Sequence, residues 1–269
     1  MREHQLDLFS GGGVSPEAAS PSEPGRLPAD PVALDDNALV AAIPEASFSL
    51  AQALASEAAR RRLGAAVPAL ERLCRRLKGF GFERPAPEQL AALNALTEIG
   101  GAEAAAAVSR ILRHDVVQGS TLAIALAAAA RLGVVLPDEK AASLLRHADP
   151  AVRSDACRCA PARPAAIAML IELLDNLNNG VAVAAACALG RMGQADARPT
   201  LLRRLRQAPS AEVIEAISEI ACDEAIVLLG RIASSGDGLA GQAFESLEAI
   251  DNPRARRLTE ILAERSRKG

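Results

Sequence analysis

Few side chains in this sequence have the types and spacing that catalysis or metal binding requires. The chain holds three histidines and five cysteines among 269 residues. His114 and His147 lie near predicted helix ends, where a histidine commonly caps the helix or faces solvent, and neither has metal-ligand neighbours. Cys157 and Cys159 are two positions apart on a predicted helix, so their side chains point to different sides. We therefore expect no metal and no cofactor.

Catalysis is not expected either. No Ser-His-acid or Cys-His arrangement can be assembled from the sequence, and Gly11-Gly12-Gly13 follows no predicted strand and opens no predicted helix, as a phosphate-binding loop would. Trp and Tyr are absent, which disfavours a site that stacks a flipped base. The cysteines, odd in number, are interpreted as small buried residues in a reducing compartment. The sequence thus predicts a protein that is not an enzyme.

The clearest functional signal is a short cluster near the start of the chain, Gln5-Leu6-Asp7-Leu8-Phe9. In an extended peptide, Leu8 and Phe9 can enter one apolar pocket while the Gln5 amide forms hydrogen bonds at a second subsite. Leu6 covers the surface between these two points, and Asp7 faces solvent. The cluster therefore has the chemistry of a partner-binding peptide.

A linker follows this cluster. Residues 10–34 combine a triple glycine with repeated serine and proline, a composition that neither holds a helix nor buries an apolar face. Residues 1–36 carry two arginines against seven acidic residues. We therefore expect residues 1–34 to form a disordered, acidic arm, whose flexible part of about 25 residues reaches on the order of 28 Å.

Basic residues gather after this arm and recur further along the chain. The candidates for phosphate or partner contacts are Arg61, Arg62, Arg75, Arg76, Arg131 and Arg191. The first four lie near predicted helix C-termini, where cations stabilise the helix dipole, so a structural role is favoured over phosphate contact. The positions two residues before each repeat closes have mixed sign: Glu98, Arg131, Arg191, Glu219 and Ala249. Mixed charge suits a protein partner better than a nucleic-acid backbone, and direct nucleic-acid contact stays open.

Repeated helices must position these side chains. Residues 180–193 form an amphipathic helical pattern with small residues on the packing face, closed by Gly193. Related segments close at residues 100, 133, 221 and 251, with separations of 33, 60, 28 and 30 residues along the series. A near-constant period of this size, with one double step, indicates a helical solenoid. Phe80 and Phe82, in an irregular loop, are expected to cover the end of the first helix pair.

Three segments carry a resemblance to a known repeat. Asp149-Pro150-Ala151-Val152-Arg153, residues 188–193 and residues 251–255 resemble parts of HEAT repeats, most closely the short HEAT-like repeats first associated with phycobiliprotein lyases. Asp caps the helix, Pro occupies its first turn, and Ala and Gly let neighbouring helices approach. The resemblance covers roughly residues 85–264 and implies an all-α HEAT-like α-solenoid of antiparallel helix pairs. Pro161 departs from the pattern and is expected to shorten its helix.

The N-terminal cluster carries a second resemblance. Gln5-Leu6-Asp7-Leu8-Phe9 is similar to the bacterial sliding-clamp-binding motif, whose common form is Gln-Leu-(Ser or Asp)-Leu-Phe, and all five positions fit. The resemblance implies docking on the ring-shaped processivity factor that keeps polymerases and repair factors on DNA. A short motif on a tether is expected to bind with a Kd on the order of micromolar. The ring offers more than one pocket, so a tethered partner would recruit or compete.

These observations predict three regions and one favoured function. We expect a disordered arm over residues 1–34, a helical cap over 35–84 and a HEAT-like array over 85–269. The favoured function is a non-enzymatic adaptor in DNA replication or repair that docks on the sliding clamp and holds a second protein on its solenoid. Two alternatives stay open: a general HEAT scaffold unrelated to DNA and, less favoured, a lyase-type maturation factor. The start of the chain has no apolar leader and no segment predicts a membrane span, so we expect a cytoplasmic protein.

Overall fold

The computed structural model describes residues 30–80 and 84–266 of the chain. Within these residues the structure contains fifteen α-helices and three short 3-10 helices, and no strand. The all-α solenoid expected from the sequence is therefore confirmed. The arm candidates Gln5, Leu6, Asp7, Leu8 and Phe9 lie outside the described residues. None of the described helices combines the length and apolar content that a membrane span requires.

The helices follow one another with short connections. The first eight are α1 Asp36–Ala42, α2 Phe48–Arg60, α3 Val67–Arg76, α4 Pro87–Ile99, α5 Gly101–Arg113, α6 Gly119–Arg131, α7 Asp138–Leu145 and α8 Pro150–Arg158. The remaining seven are α9 Pro164–Leu173, α10 Asn179–Arg191, α11 Arg198–Gln207, α12 Ala211–Glu219, α13 Asp223–Ala233, α14 Ala240–Ala249 and α15 Pro253–Ser266.

The helices form two layers. The even-numbered helices contact one another in unbroken succession from α2 to α14, and the odd-numbered helices pack against them as a second layer. Contacts between successive odd-numbered helices are sparser, and they are weakest between α5 and α7 and between α9 and α11. The even layer is therefore the tightly packed side of the solenoid, in which each helix buries its faces against its neighbours.

Small residues make this packing possible at α10. Every residue from position 184 to 190 is buried, although the helix belongs to an array only two layers thick. At Gly190, an added side-chain carbon would lie 2.5 Å from the carbonyl oxygen of Ala216 in α12. Non-bonded carbon and oxygen atoms do not approach this closely. The crossing of α10 and α12 therefore requires glycine at position 190.

Helix ends follow the local chemistry that the sequence indicates. The Asp149 carboxylate accepts a hydrogen bond from the N–H of Ala151 at 2.8 Å, and Pro150 occupies the first turn of α8. At the other end of the repeat, Gly193 has a φ of 73°, the left-handed conformation that commonly terminates a helix. The Asp-Pro start and the Gly stop of the repeat are thus confirmed.

Two further expectations have opposite outcomes. α8 ends at Arg158, before Pro161, so the predicted shortening is confirmed. Phe80, however, is 64% exposed and does not cover the first helix pair. Its N–H bonds to the carbonyl oxygen of Leu77 at 3.0 Å, in a turn that leaves the side chain in solvent. Phe82 lies outside the described residues.

Candidate partner-binding face

The even layer carries a charged cluster where α8, α10 and α12 lie side by side. Arg158 Nε and Nη2 donate to the two carboxylate oxygens of Glu212 at 3.1 and 3.2 Å. Arg158 Nη1 donates to Asp155 at 2.7 Å, and Arg191 Nη1 donates to Glu212 at 3.4 Å. We call these four residues, Asp155, Arg158, Arg191 and Glu212, the even-face cluster. All four are partly exposed, so a partner can reach them.

The even-face cluster crosses α10. Arg158 belongs to α8 and Glu212 to α12, the two helices that flank α10 in the layer. Their side chains meet because α10 presents alanine and glycine between them rather than bulky residues. The cluster therefore lies on the solvent-facing side of the even layer, over α10.

The charges of the cluster compensate one another. Burial raises the pKa of the Asp155 carboxyl, and the nearby carboxylates of Glu212 and Asp149 act in the same direction, while Arg158 opposes them. Burial disfavours the charged form of Arg158, but its contacts with Glu212 and Asp155 outweigh this and raise its pKa. A paired, mixed-charge surface suits recognition of a protein with complementary charges.

Three consecutive helices of the even layer end in arginine: Arg131 in α6, Arg158 in α8 and Arg191 in α10. The negative end of each helix dipole favours a cation at this position. Arg131 is exposed, and none of the described carboxylates lies within ion-pair distance of it. Sequence reasoning found Arg131 and Arg191 but missed Arg158, because Pro161 stands where the closing Leu-Gly signal would be. The Asp149-Pro150 start of the same helix is the signal that locates it.

The arginine at the end of the first long helix has a structural role. Arg61 Nη1 donates to the carbonyl oxygen of Leu34 at 2.8 Å, and Nη2 donates to that of Val32 at 3.0 Å. Arg61 also pairs with Asp36 at 2.9 Å and with Glu57 at 2.6 Å, and its side chain is only 18% exposed. These contacts hold the segment before α1 against α2. Arg61 therefore anchors residues 32–36 to α2, at the root of the arm that the sequence predicts.

The other N-terminal candidates also lie away from the even-face cluster. Arg75 pairs with Glu71 at 2.8 Å, and the same carboxylate accepts from Arg110 of α5 at 2.7 Å. Arg76 donates to two carbonyl oxygens of the connection between α1 and α2, at 2.7 and 2.6 Å. Arg62 is exposed in the turn after α2 and has a φ of 52°. Partner or phosphate contact by these residues stays a prediction.

Outside this face, side chains that could act as nucleophiles or metal ligands are buried or form hydrogen bonds within the fold. Burial raises the pKa of the thiols of Cys74, Cys157, Cys159 and Cys187 to about 12 in each case, which makes them poor nucleophiles at neutral pH. His147 Nδ1 accepts a hydrogen bond from the N–H of Asp149 at 3.1 Å, a turn-forming contact. Over residues 30–80 and 84–266, no group of three or more His, Cys, Asp or Glu is arranged to hold a metal ion.

Comparison with known proteins agrees with the architecture. The family model described as HEAT repeats matches residues 139–221. This region extends from α7 to just beyond α12 and contains all four residues of the even-face cluster. No curated protein matches the chain. HEAT repeats are typical of scaffolds for protein-protein interaction. The match and the two-layer helical array together identify the fold as an all-α HEAT-like solenoid.

Proposed function

We propose that this protein is a non-enzymatic adaptor with two binding elements. The even layer of the solenoid binds a partner protein, and Gln5-Leu6-Asp7-Leu8-Phe9 docks on the bacterial sliding clamp. The observation that carries the clamp assignment is the agreement of all five positions with the clamp-binding motif. A protein of this kind would bring its solenoid-bound partner to DNA, or would displace other proteins from the ring.

The proposal for the solenoid rests on the charges of the even-face cluster and of Arg131. Arg158, Arg191 and Glu212 present both signs of charge across three helices. Arg131 adds a solvent-exposed cation one helix further along the layer. Complementary charges of this kind set the orientation and specificity of a protein partner more than its affinity. The face therefore supports a protein partner rather than a phosphate backbone, which would require charges of a single sign.

The arm element rests on composition and on its point of attachment. Arg61 fixes the segment around Leu34 to α2, so an arm of the kind that the sequence predicts would begin ahead of that point. If residues 10–29 act as the flexible linker that their composition predicts, the motif can explore a radius of about 25 Å around the first helices. This reach would let the motif enter a clamp pocket while the even layer stays available to a second protein.

Affinity capture from the native cell tests both elements. The full chain is compared with Leu8→Ala/Phe9→Ala, with Arg131→Glu, and with Arg146→Glu as a matched control at an exposed arginine of the other layer. We expect the double variant to lose the clamp and keep the second protein. We expect Arg131→Glu to lose the second protein and keep the clamp, and Arg146→Glu to keep both.

The alternative of a scaffold unrelated to DNA gives a different pattern. In that case the full chain captures its solenoid partner, the clamp is never recovered, and the double variant at Leu8 and Phe9 behaves like the wild type. Recovery of the clamp by the double variant would equally contradict the assignment of Gln5-Leu6-Asp7-Leu8-Phe9 as the docking element.

A further inference from the structure

The odd layer has an open groove at the C-terminal end of the array, between α13 and α15. Val227 and Gly230 of α13 and Leu258 and Ile261 of α15 form its apolar floor, and its volume is about 510 Å³. A side-chain carbon added at Gly230 would overlap the end of the Leu258 side chain, so α13 and α15 lie in close contact here. The Ile261 side chain is 42% exposed. The α13–α15 groove is therefore an apolar surface that solvent reaches.

Arginines form the rim of this groove: Arg231 on one wall, and Arg254 and Arg257 on the other. Arg254 pairs with Asp223 at 3.1 Å. Among the residues that the structure describes, no carboxylate lies within ion-pair distance of Arg231 or Arg257. The rim thus carries an excess of positive charge over an apolar floor.

The residues that line the groove are spaced as they would be along one face of a helix. The lining positions are 227, 230, 231 and 234 on α13, and 254, 257, 258 and 261 on α15. Each set follows the spacing i, i+3, i+4, i+7 and spans about 10 Å, two turns of helix. A second groove, between α11 and α13, shares Val227 and Arg231, so the surface continues across the layer. A valley between two helices accepts the side chains of a third helix with the same spacing.

We propose that the α13–α15 groove binds an amphipathic helix of a partner protein whose apolar stripe is flanked by carboxylates. The apolar side chains of that helix would cover Leu258 and Ile261, and its carboxylates would pair with Arg231 and Arg257. Nucleic acid fits less well, because its phosphates would meet the rim but leave the apolar floor uncovered. This inference concerns the odd layer and stands independently of the clamp proposal.

The arm of this same chain is a poorer occupant. Its root is fixed to α2 by Arg61, whereas the groove lies beside α14 at the other end of the array. Six helix spacings separate α2 from α14, on the order of 50–60 Å along the layer. If the twenty residues between the motif and this root form the flexible linker that their composition predicts, their root-mean-square reach is only about 25 Å. A second protein therefore fits the groove better than Leu6, Leu8 and Phe9 do.

Two synthetic peptides test the proposal on the full-length protein. Both are helical and carry leucines at i, i+3, i+4 and i+7; one has glutamates beside this stripe, and the other has lysines at the same positions. Fluorescence anisotropy of each labelled peptide measures its Kd. We expect the glutamate peptide to bind at least about tenfold more tightly than the lysine peptide. Ile261→Glu and Arg257→Glu should each weaken its binding by about tenfold, and Arg146→Glu should leave it unchanged.

Each contrary result has a defined meaning. Ile261 and Arg257 are exposed, so we expect these variants to keep the melting temperature of the wild type, which circular dichroism checks. Equal binding of the two peptides, no binding of the glutamate peptide, or binding insensitive to Ile261→Glu would overturn the proposal. Tighter peptide binding by Leu8→Ala/Phe9→Ala would also overturn it, since the arm would then be the occupant. Clamp binding should not respond to Ile261→Glu, which separates this test from that of the proposed function.

Discussion

Arg158 and Glu212, 54 residues apart in the chain, form a two-point ion pair that spans α10 and joins the helices on either side of it. Repeat arrays are held together mainly by contacts between adjacent repeats. This pair links α8 to α12, which are next-nearest neighbours in the even layer. It therefore ties helices on either side of α10 together through their solvent-facing side rather than through the core.

The strength of this link can be measured by a double-mutant cycle. We expect Arg158→Ala and Glu212→Ala to show a coupling free energy of roughly 0.5–1 kcal/mol in urea denaturation. The magnitude is modest because the two side chains remain 36% and 31% exposed, so water screens the pair. The exposed pair of Arg256 and Asp251 is the matched control and should show a coupling near zero. Equal coupling in the two cycles would contradict a bridging role for Arg158 and Glu212.

The contact of α10 with α12 makes a second prediction. Gly190→Ala should lower the free energy of unfolding by about 1–3 kcal/mol, because the added carbon meets the Ala216 carbonyl and the helices must move apart. Gly241→Ala is the control, since this glycine is exposed within α14 and has open space around it. That change should raise stability by about 0.5–1 kcal/mol through helix propensity. Chemical denaturation measures the free energy of unfolding of both variants. An unchanged value for Gly190→Ala would show that α10 and α12 do not pack tightly at this crossing.

The contacts of Arg61 with the segment before α1 lead to a prediction about the local dynamics of that segment. Arg61→Ala should accelerate hydrogen exchange of the amides around Leu34 and Asp36, because it removes the side chain that holds this segment against α2. Arg60→Ala is the matched control, since Arg60 contacts Glu57 on its own helix. Exchange measured by mass spectrometry should respond to the first change and not to the second. A similar response to both would assign the anchoring to other contacts.

The ion pairs of Glu57 lead to a prediction of how the stability of the protein changes at acid pH. Hydrogen bonds from Arg60 and Arg61 lower the pKa of the Glu57 carboxyl from 4.5 to about 2. Because the pKa is lower in the folded state, the ion pair stabilises the protein above pH 4.5, and this contribution is lost as the pH falls from 4.5 towards 2. The melting temperature of Glu57→Gln should therefore lie below that of the wild type at pH 7, with a difference that narrows through this range. A difference that is constant with pH would show that the carboxylate charge is not responsible.

Local sequence signals were enough to predict the helices, but contacts between residues far apart in the chain could not be predicted from them. Asp149 and Pro150 at a helix start and Gly193 at its end act within a few residues, so the repeat could be predicted from spacing alone. The pairing of Arg158 with Glu212 depends on which helices share a layer, and no pattern along the chain encodes that directly. Arg61 likewise stands at a helix C-terminus in the sequence, but its carbonyl partners lie 27 to 30 residues earlier.

The α13–α15 groove likewise could not be predicted from the sequence. Ile261 and Leu258 follow the apolar spacing of an ordinary core-facing helix, and the sequence gives no sign that Ile261 stays exposed. The two-layer geometry decides this, because Ile261 lies in the open groove between α13 and α15 rather than in the core.

Titration of purified bacterial sliding clamp into the full-length protein, followed by isothermal titration calorimetry, tests the adaptor proposal most directly. We expect binding with a Kd on the order of micromolar, abolished by Leu8→Ala/Phe9→Ala and unchanged by Arg158→Ala on the solenoid. Absence of binding by the wild type, or equal binding by the double variant at Leu8 and Phe9, would contradict the account.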